Sequence, residues 1–139
     1  MGLFTWNDAN LLGVRLLDIE HQTLFVLADE LNEAIAHGEN TRTQKNHLNR
    51  LLQTLATHFE HEEGLMRHYR YPHVEEHAEE HSAFLSRMMQ MKRRLDAGAI
   101  TLPLDSLQSV KTWFDRHIRR QDQLVARHMR QHEMVGLGA

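Results

Sequence analysis

The chain contains no cysteine. Disulfides, thiolate metal sites, iron–sulfur clusters and cysteine nucleophiles are therefore excluded. It has two prolines and seven glycines in 139 residues, too few breaks for a β protein built on tight turns. No stretch approaches the roughly 18 consecutive apolar residues of a membrane-spanning helix. The first residues, Met1-Gly2-Leu3-Phe4-Thr5-Trp6, lack the basic region and long apolar run of a secretory signal. Gly2 resembles a myristoylation start, but Trp6 stands where Ser or Thr is required. A cytoplasmic protein, or a soluble domain of a longer one, is the expectation. Charge of one sign is also scarce: 16 basic and 19 acidic residues leave a net −3. That balance argues against nucleic acid or a charged membrane surface as partner. A length of 139 residues predicts one domain, 1–139. What the chain has in excess is histidine, 12 residues of 139. Histidine is the commonest metal ligand and titrates near neutral pH, so their arrangement decides what they mean.

Four segments repeat apolar residues three and four apart, the signature of amphipathic helices. The first runs from about Asp18 to His37 with the stripe His21, Leu24, Ala28, Leu31, Ile35. The second, from about Thr41 to Tyr69, carries Leu48, Leu51, Leu55, His58, Glu62, Leu65 and Tyr69. The third runs from about Pro72, placed in a first helical turn, to Asp96. It carries His77, His81, Phe84, Met88, Met91 and Leu95. The fourth, from about Leu104 to Glu133, carries Leu107, Val110, Phe114, His117 and Val125. Four such helices with short connections predict an all-α, antiparallel up-down-up-down four-helix bundle. Residues 1–17 are not helix-periodic and are expected to form an N-terminal arm anchored by Trp6. Residues 134–139 are expected to form a flexible tail.

Each stripe should be apolar if it serves only packing. Instead His21, His58, Glu62, His77, His81 and His117 occupy core-facing positions. A buried carboxylate without a partner is costly, so these residues need a common explanation. His58/Glu62 and His77/His81 are spaced i,i+4, which puts both members on one helix face. A lone histidine on such a stripe is more often a hydrogen-bonded core residue, and an isolated His-x-x-x-His is weak evidence. All four helices contributing a stripe histidine points to a metal site between them. Imidazole with carboxylate suits iron, zinc, copper or nickel. The chain has no His-Glu-x-x-His, which excludes the zinc-protease helix. It has no Glu-x-x-His, which excludes the carboxylate-rich ferritin-like di-iron pattern. A histidine-rich site remains, with too many inward ligands for one metal.

The order and spacing of these residues resemble a bacterial hemerythrin-like domain over roughly Trp6 to Leu124. The likeness rests on Gly13-Val14 with Asp18-Ile19-Glu20-His21, on His58-Phe59-Glu60-His61-Glu62-Glu63 with Met66, on Tyr71-Pro72 with His77-Ala78-Glu79-Glu80-His81, and on Trp113 with His117-Ile118-Arg119-Arg120-Gln121-Asp122. The resemblance implies two iron ions. One takes His77, His81 and His117, and the other His21 and His58. Glu62, Asp122 and an oxo or hydroxo group bridge the pair. Counted this way, the three-histidine iron is closed at six donors and the two-histidine iron has one position open, as ligand binding requires. The implied function is reversible dioxygen binding for transport, storage or delivery. The alternatives are an oxygen or redox sensor, or a di-iron enzyme that processes peroxide or nitric oxide. A non-enzymatic role is the expectation, because no acid or base is evident beside the open position. The expected partners are dioxygen and, beyond it, an oxygen-consuming enzyme or a signalling domain, with the chain itself a monomer.

Leu24, Phe59 and Phe114 are expected to wall an apolar oxygen pocket. Phe114 departs from the leucine that the family usually places there, and either slower ligand entry or a tighter fit would follow. Glu20 replaces a usual glutamine and is expected on a solvated face, like Asp115 and Arg116. His37, His47, His61, His68, His73, His128 and His132 are expected to face solvent or flank the site. His117 and Asp122 are five residues apart, about 140° around an ideal α-helix. The stripe resumes as Asp122, Val125 and Met129 only if one residue is inserted. A local π-type distortion between His117 and Asp122 is therefore predicted.

Overall fold

The structure is a computed structural model that describes residues 2–138, with side chains described to residue 132. Its long helices are α1 (Arg15–Ala36), α2 (Thr41–His68), α3 (Val74–Asp96), α4 (Ser106–Arg116) and α5 (Gln123–Gly138). A π-helical turn, His117–Asp122, joins α4 to α5, so these two and the turn make one bent fourth helix. The four long rods form the expected bundle. α1 packs on α2 and α2 on α3. The fourth helix closes the ring through Phe25 against Phe114 and Phe84 against Trp113.

The first three rods end in the same way. After α1, Gly38 takes φ 67°, Glu39 N–H bonds to Ala34 O at 2.9 Å, and Gly38 N–H bonds to Ile35 O at 3.1 Å. This left-handed exit satisfies carbonyls that the helix end would leave bare. Gly98 (φ 106°) repeats it after α3, with Ala99 N–H on Arg94 O at 3.0 Å. After α2 the left-handed position is Arg70, φ 55°, and Tyr71 N–H reaches Met66 O at 2.8 Å. That exit occupies the chain up to Tyr71. Pro72 therefore lies in a turn, and α3 begins at Val74, two residues later than its sequence position suggests. At the head of α2 the Asn40 side chain accepts from Thr43 N–H at 2.9 Å, an N-cap that stops one helical donor from going unpaired.

The arm is shorter than the sequence suggests, because α1 starts at Arg15 and not near Asp18. Asp18 is the reason. It is buried, and its carboxylate accepts from Leu12 N–H (2.8 Å) and Gly13 N–H (3.1 Å), tying the arm back onto the first turn of α1. Phe4 and Leu12 are the buried anchors, while Trp6 is only half-buried and stands edge-on to Phe25 at 5.3 Å. The fourth helix holds the arm as well: Arg119 Nε donates to Asn10 Oδ1 at 2.7 Å, and Gln123 Nε2 donates to Leu11 O at 2.8 Å. α5 continues as helix through Gly138. The tail expected at 134–139 lies beyond the described side chains.

The apolar stripes form one continuous core, including Leu24, Ala28, Leu31, Leu48, Leu51, Leu55, Phe84, Met88, Leu107 and Val110. Leu65, Tyr69 and Met91 pack only at its margin, and Met66 is fully buried instead of Leu65.

Candidate metal centre

Toward one end the core turns polar. His21, His58, Glu62, His77, His81, His117 and Asp122 are all buried, none exposing more than 4% of its surface. α1 supplies His21, α2 His58 and Glu62, α3 His77 and His81, and the π turn His117 and Asp122. The potential donor atoms of Glu62, His77, His81, His117 and Asp122 lie within 4.8 Å of one another, and so do those of His21, His58 and Glu62. Glu62 belongs to both groups. Asp122 also reaches across, with one oxygen 3.0 Å from His77 Nε2 and the other 3.3 Å from His21 Nε2.

The π turn makes this possible. On a regular helix, Asp122 would point well away from His117. The wider turn absorbs the extra residue, brings His117 Nε2 and Asp122 Oδ1 to 3.1 Å and keeps Val125, Ala126 and Met129 buried in the core. The predicted distortion is where the sequence placed it, His117–Asp122.

The donor set fits cations. Three histidines turn their outer nitrogens to carboxylates: His58 Nδ1 to Glu20 (2.8 Å), His81 Nδ1 to Glu63 (2.8 Å) and His117 Nδ1 to Glu80 (3.1 Å). A carboxylate only accepts, so each of these Nδ1 atoms carries the hydrogen, and in the neutral ring Nε2 is a bare lone pair. The Nε2 atoms of His81 and His117 stand 3.2 Å apart, and His58 Nε2 lies 3.4 Å from Glu62 Oε2. Lone pairs facing each other at such distances repel unless a positive charge lies between them. Glu62 Oε2 and both oxygens of Asp122 are buried without a hydrogen-bond partner. Nitrogens crowd around them, but aimed at a shared centre. Outer carboxylates that fix a ligating imidazole are the usual support of a metal site.

Without a metal, protons take up part of the role. Burial alone would push His58 down, but its bonds to Glu20 and Glu62 outweigh this and raise it to about 9. Burial likewise opposes charge on His77, and the carboxylates of Asp122 and Glu62 raise it to about 10. Burial and the charge of Asp122 push Glu62 up, yet His58, His77 and His81 hold it near 2. Asp122 is held well below the ordinary carboxyl range: burial opposes this, and the charge of His117 with the nearby His21 and His77 nitrogens prevails.

A small cavity of about 10 Å³ abuts the centre, roughly the room one water-sized molecule requires. Leu24, Phe59 and Phe114 line it. Phe25, Trp113 and Ile118 line it too, and sequence reasoning did not assign them to it. Ile118 could have been found from its place four residues after Phe114, on the same helix face. Phe25 follows Leu24 on the broad buried face of α1. Both histidines of the smaller group, His21 and His58, border the cavity, whereas His117 alone of the larger group's histidines does.

Glu20 corrects an expectation. It is not on a solvated face but pairs with His58 and, through its other oxygen, with His61 Nδ1 at 2.6 Å. Its position one residue before His21 aims it across the α1–α2 seam. Asp115 is half-buried and bonded to Lys111 at 2.6 Å, and Arg116 is exposed. The seven remaining histidines are exposed or half-buried, as expected. His128 donates to or accepts nothing at the centre and bonds instead to the Tyr69 carbonyl at 2.6 Å.

A four-helix bundle with two buried histidine–carboxylate groups sharing one glutamate defines a histidine-rich binuclear metal protein. Known proteins of this construction match it. The family profile of the hemerythrin HHE cation binding domain matches residues 12–129, and the chain belongs to that family. It is 27% identical to the bacteriohemerythrin of Methylococcus capsulatus over 125 residues, 89% of this chain and 95% of that protein. It is 31% identical to hemerythrin subunit alpha of Lingula anatina over 120 residues, 86% of this chain and 89% of that one. A crystal structure of wild-type hemerythrin superposes with a TM-score of 0.85 at 25% identity, covering 91% of this chain and 98% of that chain.

Proposed function

We propose that the chain binds dioxygen reversibly at a di-iron centre. His77, His81 and His117 would hold one iron and His21 and His58 the other. Glu62 and Asp122 would bridge them, with a solvent-derived oxo or hydroxo group as the third bridge. When bound, the two irons supply the electrons that make dioxygen a ligand. The observation that carries this reading is the apolar cavity beside His21 and His58, on the group with fewer histidines. The chain's own residues do the rest. Leu24, Phe25, Phe59, Trp113 and Phe114 keep water from the site, and the outer carboxylates Glu20, Glu63 and Glu80 hold three imidazoles in register.

The cavity favours binding over turnover. Among the described residues, its walls offer no acid or base apart from His21, His58, His117 and Asp122, which are themselves ligand candidates. A catalyst for peroxide or nitric oxide would need proton delivery there. A carrier or store needs none. Among the described residues, no helix is long and apolar enough to cross a membrane.

The test is anaerobic reconstitution with Fe(II), metal analysis, and a visible spectrum before air, in air and again under argon. Two irons per chain and a visible band that appears in air and disappears under argon are expected. One zinc per chain, or oxidation that argon does not reverse, would overturn the proposal.

A further inference from the structure

Glu20 bridges two imidazoles, one buried and one at the surface. Its Oε1 lies 2.8 Å from Nδ1 of buried His58, and its Oε2 lies 2.6 Å from Nδ1 of half-exposed His61. Both carboxylate oxygens are therefore engaged: α1 carries the side chain, and two residues of α2, three apart, hold one oxygen each. It is itself only 18% exposed, at the inner edge of a groove lined by Thr23, Gln53, Thr54 and Thr57. The other outer carboxylates, Glu63 and Glu80, serve His81 and His117. His21, the remaining member of the smaller group, has no partner for its outer Nδ1. Among the described residues, Glu20 is thus the one outer carboxylate that supports an imidazole of the two-histidine position.

Resting on the di-iron reading above, we propose that Glu20 is a positioning residue that sets the oxidation-state balance of the centre, with His61 as the latch that keeps it in place. A carboxylate accepting from Nδ1–H makes His58 a stronger electron donor at Nε2. A fixed negative charge on this side of the site also favours the more highly charged, oxidised metal, and hydrogen bonding and burial around a ligand are established means of tuning a potential. A glutamine in the same place would keep the hydrogen bond and remove the charge. Its partner His58 borders the cavity, so Glu20 would act most directly on the iron that meets the gas.

The test compares the full chain with Glu20→Gln and His61→Ala, each loaded with iron under argon. Iron per chain and competition against a chelator come first. Two irons per chain in the unmodified protein test the di-iron reading on its own, whatever the variants do. Glu20→Gln should keep both irons with affinity changed by only a few fold, since the bond to His58 survives. In potentiometric titration, the ratio of oxidised to reduced protein at fixed applied potential should fall about tenfold in Glu20→Gln, because net charge and hydrogen bonding beside a ligand tune the potential. That is a rise of about 59 mV in a one-electron couple. His61→Ala, which leaves the charge but releases its second oxygen, should move the same way by less. A Glu20→Gln protein that holds both irons at an unchanged or lowered potential overturns the proposal. So does a His61→Ala shift larger than that of Glu20→Gln.

Discussion

His81 and His117 meet head-on. Their Nε2 atoms are 3.2 Å apart, while their Nδ1 atoms point outward to Glu63 and Glu80. With both outer nitrogens donating, two neutral rings have nothing to share at the inner contact but lone pairs. The packing of α3 against the fourth helix is thus arranged for a cation between these rings. Phe59 stacked on His81 at 3.8 Å and Trp113 stacked on His117 at 4.3 Å hold the rings in that pose.

Glu62 stands in both ligand groups, so its loss should not be local. Glu62→Ala is expected to lower iron from two per chain to near zero, whereas His21→Ala should leave the three-histidine position occupied. Metal analysis after gel filtration distinguishes them. A Glu62→Ala protein that retains one tightly bound iron would count against a shared bridge. With metal in excess, the unmodified chain should melt well above its metal-free form, because binding to the folded state alone stabilises it.

Metal loading should be pH-dependent. His58 and His77 have folded values of about 9 and about 10 against an ordinary 6.5. Their protonated forms therefore stabilise the metal-free fold fully below pH 6.5, and that contribution is lost as pH rises through 9 to 10. Glu62, held near 2 against an ordinary 4.5, acts in the opposite sense: its contribution is present above 4.5 and lost as pH falls through 2. Metal must displace the protons on His58 and His77. Between pH 7 and 9 the apparent affinity of the metal-free chain should climb steeply, up to about tenfold per pH unit for each proton displaced. Calorimetry in buffers of different ionisation enthalpy counts those protons. An affinity flat across this range would contradict the assignment.

The π turn gives a deletion test. Arg120 is exposed, so removing it costs little packing directly. With one residue fewer, a regular helix puts Asp122 four residues after His117, about 40° away on the same face, and keeps Val125, Ala126 and Met129, all buried here, turned inward. The π turn thus houses one extra residue without losing the register of the stripe. The expected result is a helical protein by circular dichroism that retains its iron content, with a melting temperature changed by only a few degrees. Loss of iron binding would show that the widened turn itself, and not the register of the two stripes, places Asp122.

Phe114 closes the cavity and stacks on Phe25 at 5.8 Å. Phe114→Ala should cost about 3–5 kcal/mol in unfolding free energy. It should also speed ligand exchange, because the cavity of about 10 Å³ would open to several times that size. Denaturant melts and flash-photolysis or stopped-flow dissociation rates measure the two effects. Dioxygen dissociation slower than in the unmodified chain would mean that the ring obstructs the bound gas rather than confining it.

The sequence by itself determined the bundle and most of the centre. Helical periodicity is a local property, and a polar residue on an otherwise apolar stripe is visible wherever it occurs. His21, His58, Glu62, His77, His81 and His117 could therefore be picked out before any contact was known. Even the π turn was legible, because the stripe before His117 and the stripe after Asp122 are out of phase by one residue. Tertiary structure decided the partners across helix seams. Glu20 looks like a solvated charge from its own helix. Only the approach of α2 puts it between His58 and His61. The cavity is the same kind of fact: Phe25, Trp113 and Ile118 come from two helices and meet around a space that none of them defines alone. The start of α1 depended on Asp18 reaching back to Leu12 and Gly13, which periodicity does not record. Period fixes which face of a helix turns inward, but the groups facing it across the core depend on how the rods are rotated and how far apart they stand.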